Sequence, residues 1–180
     1  MIFVLLGPPG SGKTSIGRYL EKQYNIPPLV SHTTREKRKG EVDGEDYYFV
    51  DLEEFHTFNY LEKVEREDNY YGLSELEIED KLENNKAVYV ILDLDGYLQI
   101  NRMYDDVILL YIYSTLSECD NRLMKRDGVE KSYDKIMYAL ETGEFDNIGY
   151  ADYVLRNKDK QMKKVIPLLD TIVEEELKLK

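Results

Sequence analysis

The residues with the clearest chemical signature lie near the start of the chain, in the sequence Gly7-Pro-Pro-Gly-Ser-Gly-Lys-Thr14. This sequence fits the pattern G-x-x-x-x-G-K-[ST], and it stands between an apolar run and an amphipathic segment, which is the strand–loop–helix context of a phosphate-binding loop. The loop glycines allow backbone N–H groups to approach phosphate oxygens, and the following helix adds the positive end of its dipole. Lys13 would contact the β- and γ-phosphates, and the Thr14 hydroxyl would bind Mg²⁺. We therefore predict a nucleoside-triphosphate site here; the alternative is a chance glycine-rich turn.

A second group of residues suited to phosphate binding follows at 31–44. This segment carries two arginines and two lysines, although the chain as a whole has a formal net charge of −12. A guanidinium group binds a phosphate dianion through two parallel hydrogen bonds. A solvated run of charges is the usual explanation for such a loop. The hydroxyls of Ser31, Thr33 and Thr34 beside Arg35 and Arg38 favour an anion site instead.

These residues need a framework that positions them. Short apolar runs alternate with amphipathic segments along the chain, which predicts an α/β fold with a largely parallel sheet. The apolar runs predict core strands at 1–6, 87–95 and 107–113, with a last short strand at 153–155. We expect helices after the phosphate loop, after capping residues at 51, 74 and 115, and at the C-terminal end. The polar segments 31–85 and 126–150 are then insertions into one α/β core. We expect the second segment to contain only one or two helical turns.

Composition excludes several classes of function. Hydrophobic residues make up 42% of the chain and charged residues 33%, which is typical of a soluble protein. No apolar run approaches the ~20 residues that span a bilayer, and the run after Met1 lacks the flanks of a signal peptide. The acidic surface argues against nucleic acid and anionic membranes as partners. Because Cys119 is the single cysteine, no intrachain disulfide can form, which favours a cytoplasmic location.

The order and spacing of these motifs resemble the guanylate kinase family, and the resemblance covers nearly the whole chain. Its most specific part is the block 31–50. Besides the phosphate loop, the matching residues are Ser31-His-Thr-Thr-Arg35, Arg38, Gly40-Glu-Val-Asp-Gly44, Asp46-Tyr47, Phe49-Val50, Glu62, Asn69-Tyr-Tyr-Gly72 and Leu92-Asp-Leu-Asp95. The resemblance implies a P-loop kinase three-layer fold with a parallel core sheet, an inserted GMP-binding subdomain and a mobile lid.

The same resemblance implies a domain organisation. Residues 1–180 would form one guanylate-kinase-like domain, with 31–85 as the acceptor-binding insert and 126–150 as the lid. The core would comprise 1–30, 86–125 and 151–180. The insert would close over GMP and the lid over ATP, which would exclude water from the reaction.

The resemblance also assigns roles to residues at the acceptor site. The GMP phosphate would be held by Arg35, Arg38, Tyr47 and Tyr71. Ser31 would face guanine O6, and Glu62 would accept hydrogen bonds from guanine N1–H and the 2-amino group. Asp93 and Asp95 would lie near the magnesium ion and the acceptor nucleotide, with Asp93 as a second candidate metal ligand beside Thr14.

On the ATP side, the resemblance assigns the whole phosphate loop and three residues outside it. Arg122 and Arg126 match two lid arginines, and their spacing of four residues places both on one helix face, from which both could reach the transferring phosphoryl group. Asn157 matches an asparagine beside the adenine ring. The expected ATP-binding residues are Gly7, Pro8, Pro9, Gly10, Ser11, Gly12, Lys13, Thr14 and Asn157, and the expected catalytic residues are Lys13, Arg35, Arg122 and Arg126.

Three positions depart from the family pattern. Leu73 stands where the family has Ser or Thr against the base, with Ser74 one residue later. The middle strand continues Asp95-Gly-Tyr-Leu and lacks the glutamine that usually follows. A further lid arginine is missing near Ile136, where Lys135 is the neighbouring cation. An arginine that stabilises a phosphoryl-transfer transition state is worth ~10³-fold or more in rate, so the lid departure bears on catalysis and the other two on the acceptor.

The reaction implied is ATP + GMP = ADP + GDP, an Mg²⁺-assisted in-line transfer by a nucleoside-monophosphate kinase. The partners would be ATP and GMP, with no nucleic acid and no membrane, and the protein would be a monomer or homodimer. Two alternatives stay open. One is a kinase of the same fold with another phosphorylated acceptor, which the three departures motivate. The other is a non-catalytic guanylate-kinase-like module that binds a phosphopeptide, against which the intact phosphate loop argues.

Overall fold

The computed structural model describes residues 1–66, 68–158 and 162–178. The chain forms two compact units. The first, the acceptor unit, combines Met1–Val4 with Gly17–Val107 and contains every residue predicted to bind the acceptor. The second, the phosphate-loop unit, combines Leu5–Ile16 with Ile108–Lys180 and contains the loop and the predicted lid.

The strands and helices alternate as an α/β fold requires. The strands are β1 (Ile2–Leu6), β2 (His32–Thr33), β3 (Tyr48–Phe49), β4 (Tyr60–Arg66), β5 (Asn69–Ser74), β6 (Val88–Ile91), β7 (Val107–Tyr113) and β8 (Tyr153–Arg156). The helices are α1 (Lys13–Tyr24), α2 (Leu52–Phe55), α3 (Glu75–Asn84), α4 (Leu94–Met103), α5 (Leu116–Asp127), α6 (Val129–Glu141) and α7 (Met162–Lys178), with a 3-10 turn at Asn147–Tyr150. In the part of the chain described, no helix combines the length and the apolar composition that a bilayer crossing needs.

Two four-stranded sheets organise these elements, with strand orders β6-β1-β7-β8 and β3-β2-β5-β4. The first is the parallel central sheet that the alternation predicted, and its last pair, β7 and β8, is parallel. The apolar strands β1 and β7 confirm the predictions at 1–6 and 107–113, because every residue of β1 and the middle of β7 are buried. In the second sheet β5 pairs antiparallel with β2 and β4, and β2 pairs parallel with β3.

The helix caps follow the sequence closely. The side chains of Asp51, Ser74 and Thr115 each accept a hydrogen bond from the backbone N–H three residues later. Only at Thr115 does the reciprocal bond also form, because the Glu118 carboxylate accepts from the Thr115 N–H at 2.8 Å. Such caps satisfy N–H groups that the first helical turn leaves unpaired.

The predicted strand at 87–95 is too long. Strand β6 ends at Ile91, and Asp93 begins helix α4 by accepting a hydrogen bond from the Gly96 N–H at 3.0 Å. Asp is among the best N-cap residues and a poor strand residue, so the local preference for a cap ends the strand. Asp93 and Asp95 therefore lie at the start of a helix that the sequence patterns had not indicated.

The polar segments differ from expectation in two places. The hairpin of β4 and β5 was not predicted, since the charged strand β4 lacks the alternation that signals a strand. The segment 126–150 contains the 13-residue helix α6, well beyond one or two turns. Its Ser132, Ile136 and Ala139 are buried at helical spacing.

Candidate active site

The phosphate loop joins β1 to α1, as its sequence requires. Gly7 has φ of 140°, and a Cβ atom there would lie 2.5 Å from the carbonyl oxygen of Ile112. Both the backbone conformation and the close approach to β7 therefore demand glycine at this position. The loop is closed by hydrogen bonds from Ser11 N to Pro8 O at 3.1 Å and from Ile16 N to Gly12 O at 3.1 Å.

Lys13 folds back over the loop that carries it. Its Nζ donates hydrogen bonds to the backbone oxygens of Gly7 and Pro8, the second at 3.0 Å. Burial lowers the pKa of this ammonium to about 8, an effect that the charge of Glu144 partly offsets. The positive charge is thus held at the loop by neutral carbonyl groups, which orient it without neutralising it.

A buried polar network fixes the middle of the loop. The Arg122 guanidinium donates to the Gly10 carbonyl oxygen at 3.0 Å, to the Ser114 hydroxyl at 3.0 Å and to the Asn157 carbonyl oxygen at 2.9 Å. The Asn157 side-chain amide donates to the Ser11 carbonyl oxygen at 2.6 Å. The structure therefore brings the predicted residues Arg122 and Asn157 to the loop, where both bind its backbone.

The second predicted lid arginine has different partners. Arg126 forms two 2.8 Å hydrogen bonds to the carboxylate of Asp127. Lys135 reaches the same carboxylate at 2.6 Å. The two cations hold the pKa of Asp127 well below its usual range. Asp127, at the end of α5, therefore binds both Arg126 and Lys135, the lysine that precedes the position of the missing lid arginine.

The structure gives a physical reason for the missing lid arginine. Ile136 is buried and packs with Cys119 and Leu123 in an apolar cluster, against which Phe145 lies. An arginine at this position would need its charge buried in that cluster, which is unfavourable without a partner. In this chain the position serves the packing of α6 on α5.

On the acceptor side, Arg35 lies at the centre of the predicted phosphate-binding residues. Its guanidinium carbon is 5.7 Å from the ring centroids of both Tyr47 and Phe49. Hydrogen bonds that the Arg35 guanidinium donates to Glu41 and to Tyr71 raise the pKa of Arg35, the Glu41 bond having the larger effect. The Tyr47 and Tyr71 rings meet edge to face at 5.8 Å. Three of the four residues predicted to hold the acceptor phosphate thus converge.

Glu41 ties this cluster to the fourth residue, Arg38. One carboxylate oxygen accepts from Arg35 at 2.8 Å, and the other accepts from the backbone N–H of Arg38 at 2.7 Å. The Arg38 side chain is exposed. These bonds hold the pKa of Glu41 below its ordinary value, with the Arg35 bond as the main cause.

The hydroxyls that favoured an anion site hold the backbone beside it. Thr33 Oγ1 donates to the Tyr70 carbonyl oxygen at 3.0 Å and accepts from the Arg35 N–H at 3.2 Å. Thr34 Oγ1 accepts from the Tyr70 N–H at 2.9 Å. The start of the Arg35 loop is therefore anchored to β5, one residue before Tyr71.

The residues predicted to contact the base lie on neighbouring elements of the acceptor unit. Glu62 in β4 pairs with Leu73 in β5. Leu73 is fully buried, so the position where the family places a hydroxyl contributes to the core. Ser31 directly precedes β2, and its carbonyl oxygen accepts from the Tyr48 N–H at 2.9 Å. Asp95 is exposed in the first turn of α4.

A family model described as guanylate kinase matches residues 1–176. The chain belongs to the guanylate kinase family.

Relatives across the whole length agree with this membership. The chain is 32% identical over 186 aligned positions to a guanylate kinase of Oceanobacillus iheyensis, covering 99% of this chain and 89% of the relative. It is 33% identical over 168 positions to a guanylate kinase of Aromatoleum aromaticum, covering 89% and 81%. The crystal structure of guanylate kinase from Anaplasma phagocytophilum superposes with a TM-score of 0.66 at 27% identity, covering 98% of this chain and 86% of that one. The resemblance and the fold class inferred from sequence are confirmed.

Glu77 is a residue of the acceptor unit that the sequence patterns misjudged. Three residues after the cap at Ser74, a glutamate carboxylate commonly turns back to accept from the N–H of the cap residue. Instead the buried carboxylate accepts from the Val30 N–H at 3.0 Å and from the Tyr48 hydroxyl at 3.1 Å. Burial raises its pKa. Glu77 thereby ties α3 to the residues that precede Ser31 and follow Tyr47, and no local pattern reveals this because the partners are distant in sequence.

Proposed function

We infer that this member of the guanylate kinase family transfers the γ-phosphoryl group of ATP to GMP and releases ADP and GDP. The observation that carries the assignment is the pairing, in a chain that matches the family throughout, of an intact phosphate loop with the Arg35 cluster. A loop alone would indicate only a nucleoside triphosphate. The Arg35 cluster adds a second site shaped for a phosphate dianion.

The chemistry asks the protein to align and neutralise charges. The attacking group is an oxygen of the GMP phosphate, already an anion, so no strong general base is needed. We propose that Lys13 stabilises the charge on the transferring phosphoryl group. Arg35, with Tyr47 and Tyr71, would hold the acceptor phosphate in place, so that the reaction gains from its fixed orientation.

We propose that the lid residues act on ATP in two ways. Arg122 already donates to the Gly10 carbonyl and would keep the loop in its binding shape. Arg126, which is 61% exposed in its pair with Asp127, can exchange that carboxylate for phosphate oxygens. Lys135 shares the same carboxylate and directly precedes Ile136, the position of the missing lid arginine.

Magnesium is the cofactor we propose. Thr14 is exposed in the first turn of α1 and offers a hydroxyl oxygen beside the loop. The described residues contain no group of three or more carboxylate, imidazole or thiol ligands that could hold a metal. This sparse donor set fits Mg²⁺, which usually takes one or two protein ligands together with substrate phosphates and water. When bound, the ion would neutralise charge on the phosphates.

We propose that the base is read by Glu62 and Ser31. Guanine presents two adjacent donors, N1–H and the 2-amino group, to which a carboxylate is complementary. Adenine has an unprotonated N1 and no 2-amino group, so a carboxylate would repel it. With Leu73 in place of a hydroxyl, one hydrogen bond worth ~0.5–1.5 kcal/mol would be absent from the base contact.

The setting we propose is a cytoplasmic enzyme, monomeric or homodimeric, whose partners are small nucleotides. A formal charge of −12 argues against binding to nucleic acid or anionic lipid. The single cysteine, Cys119, is buried and free, which suits a reducing compartment.

A coupled assay of ADP release tests the assignment. With ATP and Mg²⁺ held constant, GMP, dGMP, AMP, UMP and CMP are compared as acceptors. We expect GMP to have the highest kcat/KM and AMP to be a poor acceptor. Equal turnover of all five nucleotides would favour the same-fold kinase with another acceptor. Absence of turnover with any of them, together with binding of a phosphopeptide, would favour the non-catalytic module.

A further inference from the structure

Gly96 stands in the first turn of α4, directly before Tyr97, which replaces the glutamine of the family's middle-strand pattern. A Cβ atom built on Gly96 would lie 2.5 Å from Glu62 Oε2 and 2.8 Å from Glu62 Cδ. Real Cβ atoms essentially never approach another heavy atom this closely. The Glu62 carboxylate therefore occupies the space that any other residue at this position would fill.

The backbone at Gly96 does not itself require glycine. Gly96 lies within the helix and does not have a positive φ. Its N–H donates to the side chain of the cap residue Asp93. Glycine in the body of a helix is less favourable than alanine. Helix propensity favours alanine at position 96, but the Glu62 carboxylate leaves no room for a Cβ atom there.

The atoms in conflict belong to the far end of a flexible side chain. Alanine at 96 can be accommodated if Glu62 moves its carboxylate away. A side chain at position 96 would therefore change the position of the Glu62 carboxylate. A pair of hydrogen bonds tolerates only small departures in length and angle.

We propose that Gly96 is a positioning residue that places the Glu62 carboxylate and thereby sets the selectivity for guanine. The proposal rests on the proposed function, in which Glu62 accepts from guanine N1–H and the 2-amino group. Gly96 touches no substrate and acts through Glu62. This chain lacks the glutamine that the family has after the Asp-x-Asp motif. The close contact between Gly96 of α4 and Glu62 of β4 would position the carboxylate instead.

The test compares three variants in the full-length protein. Gly96→Ala displaces the carboxylate, and Glu62→Gln removes its charge. Asn101→Ala is the matched control, because it also improves helix propensity on α4 at an exposed position. For each variant the KM for ATP, the kcat/KM for GMP and for IMP, and the Tm are measured. IMP keeps N1–H but lacks the 2-amino group, so the GMP/IMP ratio reports how well the carboxylate meets both donors.

We expect Gly96→Ala to lower kcat/KM for GMP by about ten- to a hundredfold, the effect of losing hydrogen bonds to a charged group. The GMP/IMP ratio should fall, while the KM for ATP stays that of the Asn101→Ala control and the Tm does not drop. A general loss, in which the Tm falls and the KM for ATP rises as well, would overturn the positioning role.

The remaining outcomes separate this proposal from the proposed function. If Gly96→Ala behaves like the control while Glu62→Gln loses GMP activity, Glu62 reads the base and Gly96 does not position it. If both variants keep the GMP kinetics of the control, Glu62 is not the guanine-binding carboxylate, and the inference fails while GMP remains the acceptor.

Discussion

The two units hold their key cations in different ways. In the phosphate-loop unit, Lys13 and Arg122 donate to backbone carbonyl oxygens, and burial lowers the pKa of Lys13 to about 8. In the acceptor unit, Arg35 forms a 2.8 Å ion pair with Glu41 that raises the arginine's pKa. Carbonyl groups orient a cation and leave its charge uncompensated, whereas a carboxylate compensates it.

This difference suggests a division of labour. We propose that the Lys13 ammonium, held by neutral carbonyl groups and only partly offset by Glu144, binds the highly charged phosphates of ATP and gains more from that binding than a solvated ammonium would. Arg35, already paired with Glu41, is held in one orientation, in which we propose that it binds the acceptor phosphate. Substitutions in each unit should therefore change the kinetics of one substrate and spare the other.

The largest effect should follow from Lys13→Ala. The substitution removes the charge that we propose stabilises the transferring phosphoryl group, so we expect kcat to fall by ~10³-fold or more. Steady-state kinetics with GMP as acceptor check this, with Lys22→Ala, an exposed lysine of α1, as the control. A rate within a few fold of the unsubstituted protein would refute the role of the loop in transfer.

The corresponding change in the acceptor unit is Arg35→Lys. A lysine keeps the charge but loses the planar fork that binds phosphate through two hydrogen bonds. We expect KM for GMP to rise by ~10- to 100-fold, with KM for ATP unchanged. The matched control is Lys37→Ala, an exposed cation of the same loop. A rise in KM for ATP as large as that for GMP would contradict the division between the units.

A pH profile tests the lowered pKa of Lys13. ATP binds the protonated ammonium, so raising the pH through about 8 removes the binding-competent form of the free protein. We expect kcat/KM for ATP to fall by ~10-fold per pH unit above that point. At saturating ATP, bound phosphates raise the lysine's pKa, and kcat/KM for GMP should not show the same decline. Identical profiles for the two substrates would argue against this assignment.

The smallest effect concerns Glu77. Glu77→Ala leaves the buried Val30 N–H without its acceptor, which should lower the free energy of unfolding by ~1–3 kcal/mol. The KM for GMP should rise by ~3- to 10-fold, because Ser31 and Tyr47 lose a common anchor. Glu77→Gln keeps an oxygen for Val30 and should recover most of the loss. Denaturant unfolding and kinetics measure both, with the exposed Glu79→Ala as the control. Equal behaviour of the Ala and Gln variants would contradict the anchoring role.

Sequence patterns predicted the features that depend on local chemistry. The strands β1 and β7 are continuous apolar runs, and the caps at Asp51, Ser74 and Thr115 are short-range hydrogen bonds, so both can be recognised from neighbouring residues. The phosphate loop is recognisable for the same reason. Membership of the guanylate kinase family, inferred from motif spacing, is confirmed by matches along the whole chain.

The features that escaped prediction depend on distant partners. Strand β4 is rich in charge and is defined by its pairing with β5. Helix α6 is defined by its packing on α5, and the same packing makes Ile136 a core residue. The role of Gly96 depends on a carboxylate in another element, and the Glu77 contacts reach back to Val30 across 47 positions. None of these partners lies within the window that a sequence pattern covers.

The central claim is that an acceptor site for GMP is built in one unit and the phosphate-loop site in the other. Calorimetric titration with GMP alone tests it most directly, using the unsubstituted protein, Arg35→Ala and Lys13→Ala. The account predicts that the unsubstituted protein binds GMP, that Lys13→Ala binds it equally well, and that Arg35→Ala weakens binding by ~10-fold or more. Failure of the unsubstituted protein to bind GMP, or equal losses in the two variants, would contradict the account.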